Sequence, residues 1–107
     1  MKKILIIALI SVLAACASFK PMAPAQSDAD RAAQKFPGTT LADLTEGKSI
    51  FETKCHKCHS LKKPFGKSDE AIEKSLPRMA KRANIDSKQQ DMVLKYLLTM
   101  NTVQKQK

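Results

Sequence analysis

Cys55-His56-Lys57-Cys58-His59 is the stretch on which the reading of this chain turns. Two cysteines three positions apart with a histidine directly after them form the C-x-x-C-H pattern of covalent haem attachment. Each thiol can add across one porphyrin vinyl group to give a thioether, and the histidine is placed to bind iron through an imidazole nitrogen. At the tail of a helix the second thiol has turned most of the way back to the face of the first. Cys55 and Cys58 are therefore the candidate anchors and His59 the candidate axial ligand. The same cysteine pair occurs in redox-active disulfides and in zinc sites. A zinc site would want a second Cys or His pair downstream, but the only other cysteine is Cys16 and no histidine follows His59. His56 could complete only a crowded set. A thioredoxin-type disulfide belongs in a strand-helix-strand setting, and the chain has no alternating apolar pattern outside its first residues. One covalent haem c is the expected cofactor, with His56 an exposed bystander.

The start of the chain says where that chemistry takes place. Lys2 and Lys3 precede an apolar run from Ile4 to Ala15 interrupted only by Ser11. Its 12 residues fall short of the roughly 20 needed for a permanent membrane span, which is the grammar of an export signal. Leu13-Ala14-Ala15-Cys16 resembles the lipobox of bacterial lipoproteins, where cleavage precedes the cysteine and a diacylglyceryl group is attached to its sulfur. The resemblance implies that residues 1–15 are a signal peptide and that Cys16 becomes a lipidated first residue. The alternative is an ordinary signal with an incidental cysteine. Several acyl chains on one residue give stable anchoring where one chain is marginal, at about 0.8 kcal/mol per buried methylene. By the same resemblance, Ala17 lacks the acidic retention signal of inner-membrane lipoproteins, which slightly favours the outer membrane. With Cys16 acylated and Cys55 and Cys58 in thioethers, the odd cysteine count closes without an intermolecular disulfide.

What remains after residue 15 suffices for one modest domain. Residues 16–39 carry Pro21, Pro24, Pro37 and Gly38 among Ala, Ser and Asp, and read as a lipidated N-terminus and flexible tether, with room for a short helix near Asp28 to Lys35 that would bury little. The ordered domain is expected over residues 40–101, with a basic tail over 102–107. Its fold class is all-α, three helices with loops. The first begins near Asp43 or Thr45 and runs toward Cys55, with Leu44, Gly47 and Phe51 at helical spacing. Gly47 inside it costs about 1 kcal/mol relative to alanine, which invites a packing reason such as the close approach of another helix. A middle helix begins near Ser68 or Asp69, holds Ala71, Ile72, Ser75 and Leu76, and ends around Pro77. The last is capped by Asp86 or Ser87, with Gln89 or Gln90 completing a capping box, and runs to about Met100. Val93, Tyr96, Leu97 and Met100 form its apolar stripe.

From about Leu41 to Leu98 the chain resembles the cytochrome c superfamily. Glu46-Gly47-Lys48-Ser49-Ile50-Phe51 ahead of the haem motif is similar to the N-terminal helix of that family, and Tyr96-Leu97 to its partner helix. The resemblance implies that Gly47 permits the crossing of the two terminal helices, that Phe51 fills the gap beside Tyr96, and that the haem edge is exposed, since only 19 residues separate His59 from Met79. The sixth iron ligand is open among Met79, Met92 and Met100, all after the motif, and an empty position. Met79, after Pro77 in an expected helix-to-loop region, resembles the axial methionine of small bacterial cytochromes c and is favoured; Met92 and Met100 read as core. A thioether opposite histidine stabilises Fe(II) and raises the reduction potential. In the family a proline carbonyl beyond the motif orients the axial histidine; Pro64 stands at that place, where it can equally be a loop-shaping residue.

The chain carries +9 formally; loss of Lys2 and Lys3 leaves 17 basic against 10 acidic residues. Two haem propionates would bring the domain to about +5. Lys54, Lys57, Lys62, Lys63 and Lys67 cluster around the motif and would steer redox partners with acidic docking surfaces. Nucleic-acid binding is not expected, since the lysines lack interleaved aromatics. The expectation is a periplasm-facing, lipid-anchored electron-transfer protein of the bacterial cell envelope, not an enzyme. The competing readings are a haem-based ligand sensor or peroxidase-like protein with an open sixth position, and a zinc-binding lipoprotein.

Overall fold

The computed structural model describes residues 20–56 and 61–104. Among them every regular element is helical: α1 over Gln26–Lys35, α2 over Leu41–Ile50 running on into a π-helical turn Phe51–Cys55, α3 over Asp69–Ala83 and α4 over Ser87–Gln104. The all-α class stands for these residues, with four α-helices in place of the three expected. No helix among the described residues is long and apolar enough to cross a membrane. The expected signal peptide over residues 1–15, Cys16, and the tail from residue 105 lie outside the described residues.

Each helix start has a side-chain cause. At α2, Thr40 Oγ1 accepts the Asp43 N–H at 3.2 Å while Asp43 Oδ2 accepts the Thr40 N–H at 3.0 Å. This reciprocal box starts the helix at Leu41, ahead of the expected Asp43. The backbone hydrogen bond from Thr40 holds the Asp43 carboxyl below its usual range. Asp86 and Gln89 form the same box at α4, at 2.8 and 3.0 Å. Ser68 Oγ accepts the Ala71 N–H at 3.1 Å to open α3, with Asp69 and Glu70 in its first turn and Lys81 and Arg82 in its last, both favourable to the helix dipole.

Helix α3 does not stop at Pro77. The proline lacks the N–H that would bond back to residue 73, yet both Glu73 and Pro77 are exposed, so water can satisfy the orphaned carbonyl. Continuing the helix buries Ala80 on the face of Ile72 and Leu76. It ends at Asn84, whose φ of 55° puts it in the left-handed region, with its N–H and that of Ile85 turned back onto the last-turn carbonyls. Helix α4 runs four residues beyond Met100 because Asn101 is itself buried.

The tether expected over residues 16–39 is structured in its second half. Helix α1 buries Ala29 and Ala32, small side chains that admit close helix packing without forming a conspicuous apolar stripe. Asp28 Oδ2 accepts the Ala25 N–H at 2.8 Å, and its Oδ1 pairs with Arg31 Nη2 at 2.9 Å. The same guanidinium nitrogen donates to the Thr99 carbonyl of α4 at 3.1 Å. Ahead of the helix, Pro21 is buried and the Met22 carbonyl accepts the Tyr96 hydroxyl at 2.8 Å.

The core is built around α2 crossing α4. A Cβ on Gly47 would run into the Met92 carbonyl oxygen and come within 3.0 Å of Tyr96 Cβ, so the expected close approach is present and glycine is what admits it. Phe51 packs beside Tyr96 with ring centroids 6.1 Å apart. Phe65 adds edge-to-face contacts to both rings, at 5.9 and 6.4 Å. Burial of Tyr96, with Glu52 nearby, pushes its phenol well above the ordinary value of 10.0.

Candidate functional site

A cleft opens between α3, the end of the π-helical turn and the loop that leads into α3. Cys55 closes the turn and reaches the cleft at 4% exposure. Ile72, Leu76 and Leu97, all buried, supply the floor, and Pro64 contributes a wall from the loop. Met79 lines the cleft half-buried, from within α3 and not from the helix-to-loop region expected for it. The cleft is open to solvent at its mouth.

Five cations ring this apolar interior: Lys54, Lys63 and Lys67 from the motif side, Arg78 and Arg82 from α3. Two of these were missed in the sequence. Ser75, Arg78, Met79 and Arg82 stand at i, i+3, i+4 and i+7, so the spacing that puts Met79 on a helix face puts both arginines there too. Lys62 is exposed but does not line the cleft, and Lys57 lies outside the described residues.

The loop wall is held by a residue the sequence reading used only as a boundary. Asn101 is fully buried in α4; its Oδ1 accepts the Gly66 N–H at 2.9 Å, and its Nδ2 donates to the Lys67 carbonyl at 2.9 Å and to Asp69 Oδ1 at 3.3 Å. Gly66, at φ 87°, provides the left-handed turn that presents both backbone groups. The signal was legible: Asn101 sits four residues after Leu97 and eight after Val93, a polar side chain on the apolar stripe, and such a side chain demands a hydrogen-bonded partner.

Of the expected site residues, the structure brings Cys55 and Met79 to one cleft. Cys58 and His59 lie outside the described residues, as does any bond from His59 to the Pro64 carbonyl. Met100 is fully buried and Met92 packs against the core, in keeping with packing roles. His56 is exposed. Among the described residues no three His, Cys, Asp or Glu side chains gather as a metal site. The lining combines sulfur from Cys55 and Met79, aliphatic side chains beneath, and cations at the mouth that could pair with carboxylates. No family model, curated protein or solved structure matches this chain.

Proposed function

We propose that the chain is a single-haem c-type cytochrome with a compact cytochrome c-like fold, held at the cell envelope by a lipid on Cys16, that passes one electron at a time between redox proteins. The observation that carries this is the shared cleft of Cys55, first cysteine of the C-x-x-C-H motif, and Met79, with an aliphatic floor between them and a cationic rim. Bound haem c supplies the redox chemistry, its iron passing between Fe(III) and Fe(II). The rest is the chain's own work. Cys55 and Cys58 would hold the group covalently, and His59 and Met79 would be the ligands to its iron, so that little need rearrange with the change of charge. The Met79 thioether favours the reduced state. Ile72, Leu76 and Leu97 keep water from one side. Lys54, Lys63, Lys67, Arg78 and Arg82 balance the propionates and present a positive face to acidic partners. With both iron ligands supplied by the chain, the protein would act as a carrier and not as an enzyme.

The test is to express the full precursor in a host with cytochrome c maturation and record pyridine haemochrome spectra of the denatured protein. Wild type gives a covalent c-type signal and Cys55→Ala/Cys58→Ala gives none. No haem in matured wild type overturns the proposal and leaves zinc or disulfide chemistry. Met79→Ala is expected to keep the haem, lower the reduction potential and open the reduced protein to carbon monoxide. Carbon monoxide binding as fast to wild type as to Met79→Ala makes this a ligand-binding haem protein.

A further inference from the structure

The proposed anchor and the proposed redox site belong to one chain, and the structure fixes how far apart they can move. We infer that the domain rides directly on the surface of the lipid bilayer, with the segment at Pro21 and Met22 facing the headgroups, and does not range outward on a leash. This rests on the reading of Cys16 as lipidated.

The observation is where the chain first becomes fastened. Tyr96, fully buried, donates its hydroxyl to the Met22 carbonyl at 2.8 Å. Pro21 is buried beside it, and Met22 packs against the main core. The following helix is held in turn, by Ala29 and Ala32 in their packing and by the Arg31 bond to Thr99 of α4. The chain is therefore fastened by Met22, and six peptide units separate that residue from Cys16. Fully extended they reach about 20 Å. A tether running to residue 39 would reach about 80 Å by the same measure.

That difference decides the geometry. A domain of this size has a radius of gyration of about 12 Å, so its width exceeds the length of the leash. Its fastened edge cannot stand more than about 20 Å from the headgroups, and its tumbling there is hindered by the bilayer. The cleft is carried at a bounded height and in a restricted orientation, and a redox partner must offer its own centre within that same membrane-adjacent layer. A partner that works only in the bulk aqueous phase would meet the cleft in a fraction of its encounters.

Neutron reflectometry of the matured, haem-loaded lipoprotein on a supported phospholipid bilayer tests this, after mass spectrometry of the mature N-terminus has established the lipid. The protein density is expected to begin within about 20 Å of the headgroups and to form a narrow layer. Inserting twenty Gly and Ser residues after Ser18, ahead of the first fastened residue, should broaden that layer outward. A wild-type layer as broad as that of the insertion variant overturns the inference while leaving the lipid reading intact. A mature chain without lipid on Cys16 overturns that reading, and the inference with it.

Discussion

Helix α4 meets α2 on one flank and borders the cleft on another, and the two flanks are finished differently. Toward α2 the packing goes down to backbone contact: Gly47 lies against the Met92 carbonyl, and Phe51, Val93 and Tyr96 are fully buried. Toward α3 the floor is equally apolar in Ile72, Leu76 and Leu97, but what lies over it is half-buried Met79, open space and charge. A domain this small seldom stabilises itself by side chains alone. The two flanks differ in closure: the seam is packed to backbone contact, while the apolar floor of the cleft stays open toward charge and solvent.

The sharpest way to break that contrast is Gly47→Ala. Helix propensity alone predicts a gain of about 1 kcal/mol, but the new methyl group meets a carbonyl that cannot step aside, so a loss of about 3 kcal/mol is expected in urea unfolding of the matured protein, the upper range for overpacking. A neutral or stabilised variant would mean that the two helices are not in backbone contact. The cleft flank is sharpened by Asn101→Ala, which strands the Gly66 N–H and the Lys67 carbonyl. About 2 kcal/mol should be lost, and the Gly66 amide should exchange with solvent faster. An unchanged exchange rate would remove Asn101 from its place as holder of the cleft wall.

The smallest effect concerns the outer end of the seam. Tyr96→Phe deletes the hydroxyl bond to Met22 and should cost about 1 kcal/mol near neutral pH. Its pH dependence has a definite sign. Burial raises the folded-state phenol above 10.0, so above pH 10 the unfolded chain loses this proton while the folded chain keeps it, and wild-type stability falls as pH rises. The phenylalanine variant should lose less on the same climb, which alkaline urea titrations of both proteins would reveal.

Where local chemistry sets an element, the sequence was mostly sufficient, although the Thr40 and Asp43 box that starts α2 went unread. The Asp86 and Gln89 box, Ser68 before α3, and the glycine demanding a close neighbour could all be read from spacing, because each depends on residues within a turn or on one missing Cβ. The failures share another cause. Helix α1 looked too poor in large apolar residues to dock, and only the path of α4 reveals that two alanines and the Arg31 bond suffice. Pro77 looked like a terminator because nothing in its neighbourhood announces that Glu73 faces water or that Ala80 is wanted in the core. In the site, Met79 was legible as a lining residue, but the arginines flanking it went unread until its helix was known to continue. Asn101 shows the reverse case, an anomaly plainly visible on an apolar stripe whose partner lies more than thirty residues away.

The π-helical turn at Phe51–Cys55 has a consequence for how the seam and the cleft can change independently. A continuous α-helix would lock the rotational phase of the motif to that of Gly47, so that any adjustment of one would swing the other. The wider turn takes up residues without carrying the usual rotation, and it lets buried Phe51 serve the seam while buried Cys55, four residues on, serves the cleft. It works as a slipping joint on a screw thread. Removing one residue between Phe51 and Cys55 would close the wide turn to an ordinary α-turn and leave the first thiol near its present phase, whereas the same deletion between Gly47 and Phe51 would rotate everything beyond it by about 100° against the seam.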